Sequence, residues 1–389
     1  MAGNQFRIVV GSYEHNLLCL SLNLELETPL FTPIFHFQAH ALSVKTLDIS
    51  RRYLVSGSND EHIRIYDLQK RKELGTLLNH NGSITSLRFS RATTDKDGKQ
   101  QGNKWLLSAS EDHTIIIWRV KDWENFGKLK GHNARINDLD IHPSNRVAVS
   151  VSEDHSIRLW NLMTAKKAAV LKLKKYNQNG KYVRWCGKDA GFFAVGLVTK
   201  VLIYNAATAK VHHEISTGNK TIMHMEVEHI DEKEYICVGL STGSIQFYDA
   251  EKLYEESEDQ KAAEPAFSLQ GHTNRVKDFR FYKNSMGHYL VSAGSDGKIV
   301  VWDIVKQEQL AVYDCGERLN CLAVCDESVE KYDTVLKRTA ATADIEDQSE
   351  VEEDAEELKQ IMLGKQKQKQ KKKKAKKAKK TSRVSVELE

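Results

Sequence analysis

One pattern returns seven times along this chain and limits its fold more than any other feature. An apolar, strand-like run enters a Gly/Asn/Asp turn, and a second strand leaves it to end on an aromatic residue. The clearest copies read YLVSGSNDEHIRIYDL, WLLSASEDHTIIIWRV, VAVSVSEDHSIRLWNL and YLVSAGSDGKIVVWDI. Two weaker copies read FFAVGLVTKVLIYNA and YICVGLSTGSIQFYDA, and an N-terminal one reads RIVVGSYEHNLLCLSL. Counting back six residues from each closing position places turn landmarks at Glu14, Asp60, Asp112, Asp154, Val198, Thr242 and Asp296. These are 46, 52, 42, 44, 44 and 54 residues apart. A period near 40–45 residues with β-type alternation is the sequence form of four-stranded propeller blades.

The chain is therefore read as all-β, a seven-bladed β-propeller over residues 1–326. The two long spacings hold polar segments, RATTDKDGKQQGN (91–103) and EKLYEESEDQKAAEP (251–265), which read as surface insertions between strands. RLNCLAVC (318–325) has the form of a first strand without a hairpin after it, whereas residues 6–37 have later strands without a first. The two pieces should share one blade and close the ring, leaving no open sheet edge.

Four copies share four polar positions: His40, Ser56, Asp60 and Tyr66; His80, Ser108, Asp112 and Trp118; His132, Ser150, Asp154 and Trp160; His272, Ser292, Asp296 and Trp302. Ser, His and Asp also make up a nucleophilic triad. A nucleophile would occur once, beside an oxyanion site, whereas this set recurs with an aromatic residue each time. The expected role is a buried relay in which indole N–H, hydroxyl, imidazole and carboxylate satisfy one another. Tyr66 should alter the relay of its blade. The blades around Val198 and Thr242 lack the His and Asp and should rest on apolar packing alone. His113 and His155, next to the relay aspartates, are expected to be exposed turn residues.

Six cysteines, including Cys321 and Cys325, are scattered without a C-x-x-C pair, so neither a zinc site nor a disulfide framework is expected. No cofactor, small-molecule substrate or membrane association is expected either. The N-terminus lacks the apolar segment of a secretory signal, and no run nears the ~18 apolar residues of a membrane span. A soluble, intracellular chain is the expectation.

Residues 327–343 read as a linker and 344–389 as a charged tail, disordered or partly helical. From Asp344 onward there are 11 acidic and 13 basic residues, and 11 lysines fall within 365–380. Lys371, Lys372, Lys373, Lys374, Lys376, Lys377, Lys379 and Lys380 form its densest part. Such a run cannot build a core, and it suits nuclear targeting and salt-sensitive, nonspecific RNA contact, with rRNA as the RNA that the resemblance given below implies. On the propeller, the residue preceding the first apolar position of each inner strand should lie on one rim. Arg135, Tyr182, Asn274, Arg275, Lys277 and Arg318 are the partner-binding candidates there, since Arg forks fit carboxylate and phosphate.

These features resemble the WD-repeat propellers, with Gly-His at 131–132 and 271–272 and Trp-Asp at 302–303. Over residues 6–326 the chain is more closely similar to the group that includes the fungal killer-maintenance protein and the inhibitor of PAK-type kinases. GSYEHNLLCL, GSNDEHIRIYDL, DIHPSNRVAVSVSED, NRVKDFRFY and ERLNCLAVCDE carry that resemblance. It implies a noncatalytic scaffold in large (60S) ribosomal subunit assembly, located in the nucleus and nucleolus. Ribosome assembly proteins and pre-60S particles would be its partners, and the alternative it implies is restraint of a PAK-type kinase.

Overall fold

The computed structural model describes residues 4–26, 28–91, 93–94, 100–101, 103–255 and 263–329. They form seven four-stranded antiparallel sheets arranged as a β-propeller. The inner strands are Val44–Ser50, Ile84–Phe89, Ile136–Ile141, Tyr182–Cys186, Ile222–Ile230, Val276–Lys283 and Leu319–Asp326, in blades 1 to 7 respectively. Each lies against the inner strands of both neighbouring blades, so the ring is continuous.

Blade 7 is assembled from both ends of the propeller. Its inner strand Leu319–Asp326 pairs with Gln5–Ser12, followed outward by Asn16–Asn23 and Leu30–Gln38. Every edge of the two terminal pieces that faces the other is thereby hydrogen-bonded, and the exposed-edge hazard is removed.

Strand alternation explains where the core lies. Successive side chains point to opposite faces, and both faces of a blade meet another blade. Val, Ile and Leu therefore fill seven apolar clusters, each bridging two adjacent blades. Phe6, Ile8 and Val10 of blade 7, for example, pack on Tyr289, Val291 and Ala293 of blade 6. Stability is thus spread around the ring with no single centre.

The first insertion carries a short ribbon, Thr93–Thr94 paired with Gln100–Gln101. The second begins as a packed element and is not merely surface chain. Asp249 caps the helix Ala250–Tyr254 by accepting the Glu251 N–H at 3.2 Å, and Leu253 is buried. Tyr254 stacks on Phe192 of blade 4 at 4.5 Å and donates to Glu234 at 2.6 Å.

Ring closure also explains the glycine in the blade 7 motif VVGS. A Cβ on Gly11 would lie 2.6 Å from Cys321 Sγ and 2.7 Å from Val44 Cγ1, on the closing strand and the adjacent blade. Gly11→Val is therefore expected to lower unfolding stability by about 1–3 kcal/mol or more through overpacking. Denaturant titration checks this, and a midpoint equal to that of the parent would contradict the packing account.

Candidate functional site

The four sets of repeated polar residues meet within their own blades. His132 Nε2 lies 2.8 Å from Ser150 Oγ, its Nδ1 lies 2.9 Å from Asp154, and Trp160 Nε1 donates to Ser150 at 2.8 Å. Blade 2 repeats this: His80 lies 2.8 Å from Ser108 and 2.9 Å from Asp112, and Trp118 donates to Ser108 at 2.8 Å. In blade 6 His272 joins Ser292 at 2.8 Å and Asp296 at 3.1 Å, with a longer Trp302 bond of 3.4 Å. Blade 1 keeps His40 with Ser56 at 2.7 Å and Asp60 at 3.0 Å. Its Tyr66 hydroxyl is buried near Ser56 without a well-formed hydrogen bond.

Each carboxylate also anchors the loop that brings its histidine. Asp154 accepts the N–H of Asn133 at 3.0 Å and that of Ser156 at 3.0 Å. Burial alone would raise the Asp154 carboxyl, but hydrogen bonds from His132 and Ser156 hold it well below the ordinary range. Burial keeps His40, His132 and His272 below the ordinary imidazole value, hence neutral. A neutral, fully engaged imidazole is a structural tie, not an available base.

The residue after six of the seven landmarks has a different task. His15, Glu61, His113, His155, Gly243 and Gly297 all have positive φ, as a tight turn there requires. His113 is exposed, whereas His155 is half-buried with Nδ1 3.3 Å from the Gln178 carbonyl. Blade 4 is not held by apolar packing alone. Gln178 Oε1 accepts the N–H of Val198 at 3.2 Å and of Thr199 at 3.3 Å, occupying the landmark turn that lacks Asp.

Around the propeller axis, polar residues alternate along the inner strands. Glu226 of blade 5 accepts from Arg88 of blade 2 at 2.8 Å, from Arg184 of blade 4 at 2.8 Å, and from Arg280 of blade 6. Aspartates tie neighbouring inner strands: Asp48 accepts the Phe89 N–H at 2.7 Å, Asp140 that of Trp185 at 2.9 Å, and Asp278 that of Leu322 at 2.9 Å. Sequence reasoning missed this network. Its only signal was Asp, Glu or Arg at every second position of strands such as NDLDI, MEVE and KDFRF.

A funnel of about 400 Å³ opens on the face where the inner strands begin. Tyr182, expected on its rim, lies one residue deeper. It pairs with Gly196 as Ile136 pairs with Ser152 and Val276 with Gly294, so it occupies the first inward position. Its hydroxyl donates to the Met223 carbonyl, and Lys181 takes the rim position instead. Asn274, Arg275 and Arg318 are exposed, while Lys277 is half-buried in the funnel wall.

The rim divides by charge. Arg135 lies 3.1 Å from Glu111 and 3.6 Å from Glu153, and Lys181 lies 3.5 Å from Glu153. Lys45, Arg275, Lys277 and Arg318 have no carboxylate partner among the described residues. Burial, together with Lys45, Arg275 and Arg318 nearby, holds the Lys277 ammonium below its ordinary value. Beside them Arg318 lies over the Tyr13 ring at 6.0 Å, and Leu42 is exposed on the loop tied to His15. Cations, an exposed tyrosine and an apolar side chain in one sector have the composition of a protein-binding hot spot. No group of His, Cys, Asp and Glu among the described residues could hold a metal ion. The Lys-rich segment, Lys371 to Lys380, lies outside the described residues.

Four segments, 31–67, 71–119, 123–161 and 263–303, match the family model described as "WD domain, G-beta repeat". The chain is 63% identical to Protein MAK11 of Saccharomyces cerevisiae, covering 99% of this chain and 98% of that protein. It is 32% identical to p21-activated protein kinase-interacting protein 1-like of Gallus gallus, over 86% of this chain and 85% of the relative. The human p21-activated protein kinase-interacting protein 1 is 29% identical over 82% of this chain and 76% of its own length.

Two outcomes follow from this geometry. Ser150 serves both Trp160 and His132, whereas Ser56 serves His40 alone, so Ser150→Ala should cost more than Ser56→Ala. The expected losses are about 2–3 and about 1 kcal/mol, and equal denaturation midpoints would refute the difference. Burial, reinforced by the Glu226 charge, pushes Glu228 up to about 7 from its ordinary 4.5. A raised folded value stabilises the fold below the ordinary value, and this contribution is lost as pH rises through 7. Glu228→Gln, neutral throughout, should therefore melt above the parent at pH 8, with the gap closing toward pH 4.5. Parallel melting curves across that range would exclude this.

Proposed function

The chain belongs to the WD40-repeat family that includes Protein MAK11 and the p21-activated protein kinase-interacting proteins, and on that premise we propose that it works as a scaffold in large ribosomal subunit assembly. The family is one of noncatalytic propeller scaffolds, and the repeated Ser, His and Asp side chains are engaged with one another inside the blades. The observation that carries the reading is the sector formed by Tyr13, Leu42, Lys45, Arg275, Lys277 and Arg318. Its cations have no carboxylate partners among the described residues, so it suits an acidic segment of a partner protein. In this reading assembly proteins dock there, the pre-60S particle is the working context, and the nucleolus is the site of action. The tail lysines concentrate the chain on pre-rRNA through its phosphates.

Depletion should reduce large-subunit precursors on density gradients, and unchanged precursor profiles would sink the proposal. Arg275→Glu combined with Arg318→Glu should remove co-purifying assembly proteins by about tenfold or more, as charge reversal at a hot spot does. Arg135→Glu, in the neutralised sector, should retain them.

The second reading, binding of a PAK-type kinase, is favoured by the relatives named for interacting with such kinases. Purified full-length chain should then lower PAK-type kinase activity at micromolar concentration. Absence of binding at that concentration would count against it.

A further inference from the structure

Charge is unevenly distributed between the blades. Residues 162–212 contain ten Lys and Arg and a single acidic residue, Asp189, although the whole chain has nearly balanced totals of 57 and 53. One of the ten, Arg184, is buried at the axis. Lys166, Lys167 and Lys172 stand exposed on the outer strand of blade 3, Lys166–Lys172. Lys174 and Lys175 continue from it in the turn Lys174–Tyr176, and Lys210 stands exposed at the start of the outer strand of blade 4. None of these six has a carboxylate partner among the described residues.

Lysines on an outer strand also discourage edge-to-edge association. That role does not account for what is found here. The outer strands Lys72–Leu77, Glu124–Lys130, Lys210–Ser216 and Glu308–Asp314 all carry acidic residues, and Phe267–Gln270 and Leu30–Gln38 carry no Lys, Arg, Asp or Glu. Only the outer strand of blade 3 is charged by cations alone. Lys174 and Lys175, moreover, lie beyond the strand.

We propose that the outer wall of blades 3 and 4 is a binding surface for the phosphate backbone of structured RNA. A seven-residue strand spans about 20 Å, so its lysines and those of the following turn can follow several phosphates. The composition separates RNA from an acidic protein. Protein interfaces are enriched in Arg and aromatic residues and depleted in Lys, and this wall is made of Lys. No free aromatic platform accompanies it, since Tyr176 is half-buried with Lys175 over its ring at 5.7 Å. The surface therefore grips backbone and does not read stacked bases. In a seven-membered ring, blades 3 and 4 lie across from blade 7, so RNA and the rim partner can be held together.

The test uses the full chain and a fluorescent 20-base-pair RNA duplex, with anisotropy titrations across a series of salt concentrations. Lys167→Gln, Lys172→Gln, Lys174→Gln and Lys175→Gln are combined in one variant. A control of equal charge combines Lys233→Gln, Lys252→Gln, Lys283→Gln and Lys306→Gln on blades 5 and 6. The wall variant should bind at least about tenfold more weakly near 0.1 M salt, and its log–log salt slope should shrink by about 2–4. Unchanged affinity and slope would overturn the proposal, as would an equal loss in the control. Loss of polyglutamate binding with RNA affinity retained would make the wall a protein site and overturn it as well. Lys174→Gln with Lys175→Gln alone, off the strand, should give about half the slope change and guards against a folding defect. The proposal is independent of the rim reading, because Arg275→Glu/Arg318→Glu should leave RNA affinity intact.

Discussion

A single carboxylate on the propeller axis, Glu226, is held between guanidinium groups from three other blades, Arg88, Arg184 and Arg280. Inner strands must approach one another for the ring to close, and they bring their axial side chains out of bulk water. Burial alone would raise the Glu226 carboxyl, but Arg184, Arg88 and Arg280 hold it well below the usual range. The charges also orient one another: Arg184 reaches Asp138 as well, and Arg280 lies near Asp278. Removing one member would leave the others buried and uncompensated, a far larger cost than exchanging the whole set for apolar residues. The blades are thus fastened at the axis by ionic ties and between their faces by apolar packing.

The relays form a second, independent set of ties. Each joins the loop that enters a blade to the turn between its second and third strands, and each is complete within one blade. Two surfaces of different chemistry lie at the periphery. One combines Arg with exposed Tyr and Leu at the funnel mouth of blades 6, 7 and 1. The other consists of lysines on the outer wall of blades 3 and 4.

The fold was legible because its determinants are local and repeated. Ser, Asp and Trp recur at fixed offsets within a stretch of about a dozen residues, and His precedes them in the same blade. The axial network was not legible, since Arg88, Arg184, Glu226 and Arg280 are separated by tens of residues and become neighbours only when the ring closes. Tyr182 shows the limit of reading register from hydrophobicity. As a tyrosine in the place that Val, Ile or Leu takes elsewhere, it looked like the last polar rim residue before Val183. The helix at 250–254 was hidden by its own cap: Asp249 matched the repeat's closing Asp, and its second role in starting a helix left no separate mark. Blade 4 was expected to be purely apolar because its substitute tie, Gln178, comes from the loop before the blade and has no repeat counterpart.

Joining the first and last strands in one blade has a consequence for synthesis. Gln5–Ser12 leaves the ribosome early, whereas its partner Leu319–Asp326 is made more than 300 residues later. At roughly 5–20 residues per second, the N-terminal hairpin waits on the order of 15–60 s with one edge unpaired. During that interval the strand QFRIVVGS, rich in Val and Ile, is open to pairing with other nascent chains. The open edge is therefore exposed until Leu319–Asp326 has been made, and a chaperone shielding the N-terminal strand would act over that interval.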